Sequence, residues 1–218
     1  MLVVEQNDLI TAGRILADAG LVSAFGHVSM RVGDDALLTP PQPLGRIAAE
    51  DCQRIAIDAD TLPTGIPKEA WLHLAIYQQR PDVSAICRAQ PPVTTALASA
   101  GVELVPLHGQ GSFCGPEVPV FDEAQLVRDQ ARGQRLARAL GEAPALILRG
   151  NGALTVGADV PRAVARMWVL EASAQLNATA AAAGTRRPLS AEEQHAWRAT
   201  EDELLVRIWR HLAAEATD

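Results

Sequence analysis

Basic charge is scarce in this 218-residue sequence, and almost all of it is arginine. Lysine and arginine together number 19 against 26 aspartates and glutamates, which gives a formal net charge of −7. No block of basic residues stands out from this acidic balance, so the sequence predicts no nucleic-acid-binding groove. Lys68 is the single lysine of the chain.

Cysteine and long apolar runs are also scarce. Cys52, Cys87 and Cys114 are odd in number and lack the Cys-x-x-Cys spacing of a thiolate metal site. This usage predicts a reduced, cytoplasmic protein. No apolar stretch approaches the ~20 residues of a membrane-spanning helix. An acidic residue appears too early for a secretory signal, so we expect neither feature.

The remaining composition is that of an ordinary globular protein, with 48% hydrophobic and 21% charged residues. Hydrophobic periodicity and turn residues predict a single domain over residues 1–218 in which strands and helices alternate. The predicted strands are His27–Val32, Ala36–Thr39, Arg54–Asp58, Val83–Cys87, Val102–Leu107, Ala145–Leu148 and Ala153–Val156. The predicted helices begin at Asn7 or Asp8, at Pro67 and at Pro91, and others cover Phe121–Leu140, Pro161 to about Ala183, and Ser190 to about Ala214. This order is typical of a sheet covered by helices, with C-terminal helices from about residue 161.

Polar side chains lie at the ends of several apolar strands. Arg88 and Gln90 follow a buried-looking run and point the same way on an extended chain, because they are two residues apart. His108 ends another predicted strand, and Asn151 lies in the turn between two apolar strands. Strand ends that carry polar side chains are common positions for binding sites in α/β proteins.

Three motifs together resemble the class II aldolase/adducin family over about residues 8–180. They are the segment Phe25-Gly-His-Val-Ser-Met-Arg31, the segment from Glu69 to Tyr77 that continues into Arg80-Pro-Asp-Val83, and the segment from Leu146 to Gly157. The residues of these motifs are most similar to the branch that contains decarboxylases of hydroxylated aromatic acids. The resemblance implies a three-layer α/β/α sandwich with a mixed, mostly antiparallel sheet. It also implies a homotetramer with its site at a subunit interface.

The resemblance further implies a divalent metal, usually zinc, held by three histidines and often a carboxylate. All three histidine positions differ in this chain: Arg88, Gln90 and Asn151 occupy them, whereas the acidic position is retained as Glu69. Arginine has no lone pair to donate, and amide oxygens are poor ligands for zinc. We therefore expect no metal and no other cofactor.

The substitutions suggest a lyase that acts on a small hydroxy or aromatic carboxylic acid without a metal. Arg88 would replace the positive charge of the metal and stabilise an enolate-like anion, with Glu69 and His108 as general acid and base. Gln90 and Asn151 would orient the substrate. The family resemblance also places His27 and Thr39 in the substrate pocket.

Two alternatives remain open at this stage. One is a non-catalytic assembly protein comparable to adducin, in which Arg88 would pair with Glu69 or with an acid across a subunit interface. The other is a Schiff-base enzyme that uses Lys68, since a desolvated lysine can serve as an electron sink.

Overall fold

The computed structural model describes residues 2–216, with side chains from residue 7 onward, and these residues form seven strands and seven α-helices. The strands are β1 (His27–Val32), β2 (Asp35–Leu38), β3 (Gln53–Ala56), β4 (Ala85–Ala89), β5 (Val120–Phe121), β6 (Ala145–Leu148) and β7 (Ala153–Gly157). The helices are α1 (Leu2–Asp18), α2 (Ala70–Gln79), α3 (Pro92–Ser99), α4 (Gln130–Leu140), α5 (Val160–Ala183), α6 (Ala191–Arg198) and α7 (Glu201–Glu215). The predicted domain of residues 1–218 also includes residues 1, 217 and 218, which lie outside the described part of the chain.

All seven strands form one mixed sheet in the order β3-β2-β1-β4-β7-β6-β5. Every neighbouring pair is antiparallel except β5 and β6, which are parallel. The predicted turn around Asn151 is a tight hairpin that joins β6 to β7. The sheet is therefore mixed and mostly antiparallel, as the resemblance implies.

Helices cover both faces of this sheet. Because successive side chains of a strand point to opposite faces, Ala85, Cys87 and Ala89 of β4 pack with α1, α5 and α7. Ile86 of the same strand packs on the other side with α2 and α4. The protein is thus an α/β/α sandwich, and none of its helices within residues 2–216 is long and apolar enough to cross a bilayer.

The predicted strand Val102–Leu107 is wrong, because this segment pairs with a side chain rather than with another strand. Asn177 on α5 accepts from the Val105 N–H at 3.3 Å and donates to the Val105 carbonyl at 2.9 Å. One amide thus meets the hydrogen-bonding needs that a neighbouring strand would otherwise meet. The segment therefore lies outside the sheet.

Three predicted helix boundaries also need correction. The first helix begins at Leu2 rather than at Asn7 or Asp8. The helix predicted over Phe121–Leu140 is confined to α4, because the Asp129 side chain caps it by accepting from the Arg132 N–H at 2.8 Å. The last predicted helix is divided into α6 and α7, since the Thr200 hydroxyl donates to the Trp197 carbonyl at 2.8 Å where α6 ends.

A buried carboxylate joins α3 to α5 and provides a test of the fold. Glu171 accepts from the Val93 N–H at 2.9 Å, the Thr94 N–H at 2.9 Å and the Thr94 hydroxyl at 2.8 Å. We expect Glu171→Gln to lower the free energy of unfolding by about 2–3 kcal/mol. The side-chain NH₂ group of glutamine would face the N–H and O–H donors of Val93 and Thr94, so at least one hydrogen bond would be lost. Urea denaturation would measure the loss, with the exposed Glu203→Gln on α7 as control. A loss as small as that of the control would show that the carboxylate does not hold the two helices together.

Candidate active site

Arg88 lies in the middle of the sheet, not beyond the end of a strand as predicted. It is the fourth residue of β4, where it pairs with His27 of β1 on one side and with Leu154 of β7 on the other. Strand alternation places it on the face that carries Ile86 and is covered by α2. Its side chain is 1% exposed, so a guanidinium is buried among apolar strands.

Only one of the three guanidinium nitrogens has hydrogen-bond partners among the described residues. Arg88 Nη2 donates to the Asn151 carbonyl at 3.1 Å and to Glu69 Oε1 at 3.4 Å. Nε and Nη1 are buried, and neither has a partner in residues 7–216. Burial lowers the pKa of Arg88, and the charge of Glu69 opposes that shift. A buried donor without a partner costs about 1–3 kcal/mol, so this arrangement is costly for the folded protein.

Glu69 lies directly before α2 and faces Arg88. Besides Arg88, its carboxylate accepts from Asn151 Nδ2 and from His27 Nε2, each at 3.4 Å. Burial raises the pKa of Glu69, but the hydrogen bond from His27 and the charge of Arg88 outweigh burial and lower the pKa below its usual value. Glu69 is therefore a carboxylate at neutral pH.

The hairpin between β6 and β7 brings Asn151 to this pair. Gly152 has φ = 85°, and a Cβ atom at this residue would lie 2.2 Å from the carbonyl oxygen of Ala89 on β4. Glycine is required here, because any side chain would push the turn away from the end of β4. The close approach keeps the Asn151 carbonyl within reach of Arg88.

These residues form the polar floor of a cavity of about 500 Å³. Glu69, Arg88, Gln90 and Asn151 all line it, together with Lys68. The remaining lining residues are Phe25, Pro41, Pro67, Leu126 and Arg128. Two of these are unusually exposed for apolar residues, Phe25 at 68% and Leu126 at 42%. The cavity therefore combines an apolar rim with a charged floor, which suits an apolar ring carrying an acidic group.

Four of the seven predicted site residues thus come together in the cavity: Glu69, Arg88, Gln90 and Asn151. His27 does not line the cavity but bonds to the Glu69 carboxylate. Thr39 and His108 do not join them. The Thr39 hydroxyl is fully buried and accepts from the Val28 N–H at 3.0 Å, so it extends the pairing of β1 with β2. His108 bonds to Ser173 on α5 at 2.8 Å and to Gln110 at 3.1 Å. The predicted pairing of His108 with Glu69 does not occur within this chain.

Sequence reasoning missed the rim of the cavity and the buried residues behind Glu69. Leu126 and Arg128 lie in the segment that was predicted to be helical, so their side chains were not assigned to a site. Phe25 is the first residue of the first family motif, and this position beside Gly26 and His27 was the available signal. His73 on α2 is buried behind Glu69, and its ring bonds to His27 at 2.6 Å.

The donor groups of this cavity do not fit the zinc ion that the family resemblance implies. Arginine offers no lone pair, and its charge repels a cation. Within residues 2–216 no group of three or more His, Cys, Asp or Glu side chains has the geometry of a metal site. His73 cannot assist Glu69 in such a role, because both of its ring nitrogens bond to other side chains.

Comparison with known proteins identifies the family. Residues 7–178 match the class II aldolase and adducin N-terminal domain. A 3,4-dihydroxyphthalate decarboxylase of Arthrobacter keyseri is 30% identical over 191 residues, which covers 79% of this chain and 77% of that protein. An L-fuculose phosphate aldolase of Methanocaldococcus jannaschii is 28% identical, with 72% of this chain and 85% of that protein covered. The structure of an L-fuculose-1-phosphate aldolase from Thermus thermophilus superposes with a TM-score of 0.76 at 28% identity, covering 86% of this chain and all of that one. These relatives are lyases, and the chain belongs to the class II aldolase/adducin family.

Proposed function

We propose that this protein is a lyase that decarboxylates a small hydroxylated aromatic acid without a metal ion. The observation that carries the proposal is the Arg88 guanidinium, which is buried at the floor of an open cavity with two nitrogens that have no partner in the described structure. A fixed cation in a protected site is suited to stabilise an anion that forms during a reaction. The decarboxylases among the relatives support the choice of reaction.

Arg88 and Asn151 would stabilise the negative charge that develops on the substrate. Because guanidinium hydrogen bonds to oxyanions are charge-assisted, Arg88 favours an anionic substrate oxygen over a neutral one. The Asn151 side-chain amide and Gln90 lie beside it in the cavity and would orient the same substrate. This division of roles leaves Glu69 as the group that moves a proton.

A hydroxyl group ortho or para to the departing carboxylate would make the chemistry possible. Glu69 takes the hydroxyl proton and delivers it to the ring carbon that bears the carboxylate, which gives a keto acid. The carbon–carbon bond then breaks, carbon dioxide leaves, and the electron pair returns through the ring to the oxygen beside Arg88. A proton from solvent neutralises this phenolate, and Glu69 ends as the carboxylate it was at the start.

The apolar rim supports an aromatic substrate. Phe25, Leu126 and the prolines Pro41 and Pro67 offer apolar surface to a planar ring. Lys68 and Arg128 lie at the same cavity and add positive charge that would attract an acid.

The non-catalytic alternative has one observation in its favour, the contact of Arg88 with Glu69 at 3.4 Å. A protein that keeps this fold only for assembly has no need of an open cavity above that pair. The cavity of about 500 Å³ therefore favours the enzyme. The Schiff-base alternative is disfavoured because Lys68 is exposed, whereas a lysine activated in this way needs desolvation. A homotetramer and a cytoplasmic location stay predictions from the resemblance and from cysteine usage.

Decarboxylation in the presence of a chelator tests the proposal. Purified protein would be treated with EDTA and incubated with hydroxylated benzoic and phthalic acids, and carbon dioxide release would be measured together with elemental analysis. We expect turnover of at least one acid at the same rate before and after chelation, because no proposed step uses a metal.

The Arthrobacter decarboxylase named above would be assayed in parallel as a reference for detecting carbon dioxide. Turnover that chelation abolishes and zinc or manganese restores would contradict metal independence. Absence of turnover with the whole series would contradict the decarboxylase function.

A further inference from the structure

We infer that His27, His73, Ser29 and Tyr77 form a one-directional chain of hydrogen bonds that holds the Glu69 carboxylate in place. In the function proposed above, on which this role rests, His27 and His73 are positioning residues. The chain itself is a property of buried side chains and can be tested without any substrate.

The chain arises from the matching repeat distances of a strand and a helix. Alternate residues of β1 rise about 6.8 Å, and every fourth residue of α2 rises about 6 Å. Side chains on the inner face of β1 therefore meet side chains on one face of α2 in register. The contacting pairs are His27 with Glu69 and His73, Ser29 with His73 and Tyr77, and Arg31 with Tyr77.

The three inner contacts are short. His27 Nδ1 lies 2.6 Å from His73 Nε2, and His73 Nδ1 lies 2.6 Å from the Ser29 hydroxyl. The Ser29 hydroxyl lies 2.7 Å from the Tyr77 hydroxyl. All four side chains are buried. Each contact must therefore hold one proton between its two atoms, because two bare nitrogens or two N–H groups would repel one another at this distance.

The carboxylate fixes the direction of every bond. Glu69 only accepts, so His27 carries its proton on Nε2 and leaves Nδ1 bare. His73 must then donate from Nε2, which leaves its own Nδ1 to accept from Ser29. The Ser29 oxygen in turn accepts from Tyr77. Each group donates once toward Glu69, and no tautomer in the chain is left open.

The surroundings keep both imidazoles neutral. Burial lowers the pKa of His27 and of His73, and the nearby charge of Arg88 adds to both shifts. For His27 the hydrogen bond to Glu69 opposes part of this shift. Neutral rings are what a one-directional chain needs, since a protonated imidazole would donate from both nitrogens.

The far end of the chain lies inside the protein. Tyr77 is 2% exposed, and the Arg31 guanidinium stacks 4.9 Å from the centre of its ring. Arg31 is itself fixed by bonds to the carbonyls of Tyr77, Arg80 and Val83. A chain that ends at the buried Tyr77 hydroxyl gives a proton no route to solvent. Its role is therefore to orient Glu69 Oε2, which leaves Oε1 for Arg88, Asn151 and the substrate.

Nitrogen NMR of the full-length protein with ¹⁵N-labelled histidine measures the tautomers directly. The protein has five histidines, and single His→Gln variants assign their signals. We expect His27 and His73 to be neutral at neutral pH, with the proton on Nε2 in both, and to become protonated only at a lower pH than an ordinary imidazole. A proton on Nδ1 of either ring, or a charged ring at neutral pH, would overturn the inference.

A variant at the end of the chain separates a coupled chain from local packing. In Glu69→Leu the carboxylate is absent, so we expect mixed tautomers in both rings, although His73 does not contact Glu69. The exposed Glu203→Gln serves as the control and leaves both rings unchanged. An unchanged His73 in folded Glu69→Leu would show that the rings are not coupled.

Kinetics then test the positioning role. We expect His73→Leu to lower kcat about 100-fold with little change in KM, because a misplaced base slows the chemical step, and we expect His73→Asn, which can still donate to His27, to recover part of this loss. Equal losses in both variants would point to a purely structural role. If the tautomers are as expected and no hydroxylated aromatic acid is turned over, the proposed function is wrong, but the hydrogen-bond chain is still supported. Turnover with the wrong tautomers would overturn only this inference.

Discussion

Replacing Arg88 with alanine is expected to abolish turnover of a hydroxylated aromatic acid, with kcat/KM lower by about 10³-fold. The guanidinium is the charged group best placed to hold a developing oxyanion, since it lies on the floor of the cavity beside Asn151. Arg88→Lys should recover little, because an ammonium lacks the planar fork that binds two oxygens at once. Steady-state rates of carbon dioxide release measure the effect, and activity equal to wild type in Arg88→Ala would refute this role.

The matched control for Arg88 is methionine, which preserves most of the buried volume without the charge. Nε and Nη1 are buried without partners in the described structure, and replacing a buried ion pair with apolar side chains is often neutral or stabilising. We therefore expect the double variant Arg88→Met/Glu69→Leu, in which neither charge is left unpaired, to be inactive but to unfold at the same urea concentration as wild type or a higher one. An inactive variant of undiminished stability would mean that Arg88 serves the site rather than the fold.

The opposite result would favour the assembly protein. If the double variant lost more than about 2 kcal/mol of stability, the guanidinium would be holding Glu69 and the hairpin together as a structural pair. The cavity would then be incidental. Size-exclusion chromatography of the same variant would show whether the loss of stability accompanies a loss of assembly.

The sequence predicted those parts of the site that depend on local periodicity. Alternation along His27–Val32 places His27 on one face of a strand. The four-residue spacing of Glu69 and His73 is that of two side chains on one face of a helix. The Asn-Gly dipeptide at Asn151 predicted the hairpin that joins β6 to β7. Each of these patterns is set by the few residues around it.

Features that depend on distant partners could not be predicted in this way. The segment around Val105 looks like a strand, but its partner is a side chain 72 residues further along. His108 looks like a residue at a strand end for the same reason, yet its ring bonds to Ser173 on α5. The sequence also could not predict that the polar face of β1 is buried. Alternation shows that a face is polar, but it does not show which element packs on that face.

Replacing Glu69 with glutamine is expected to lower kcat about 10²–10⁴-fold, the range typical for the loss of a general base. Glutamine has nearly the same shape and can still accept from His27, so the loss would report the missing proton transfer. Glu123→Gln serves as the control, because Glu123 bonds to Arg132 and Arg135 and does not line the cavity. Retained activity in Glu69→Gln would assign the proton transfer to another group.

The pH dependence of stability should identify the same carboxylate. The pKa of Glu69 is lowered in the folded protein, because the His27 hydrogen bond and the Arg88 charge outweigh burial. Its contribution to stability is therefore fully present above the unfolded pKa of about 4.3 and is lost as pH falls through the lower folded value.

At neutral pH we expect Glu69→Gln to be less stable than wild type by up to about 3 kcal/mol, since it leaves Arg88 without a counter-charge. Urea titrations at a series of pH values should show this difference shrinking below about pH 4. A difference that stays constant across the series would mean that Glu69 is not ionised beside Arg88.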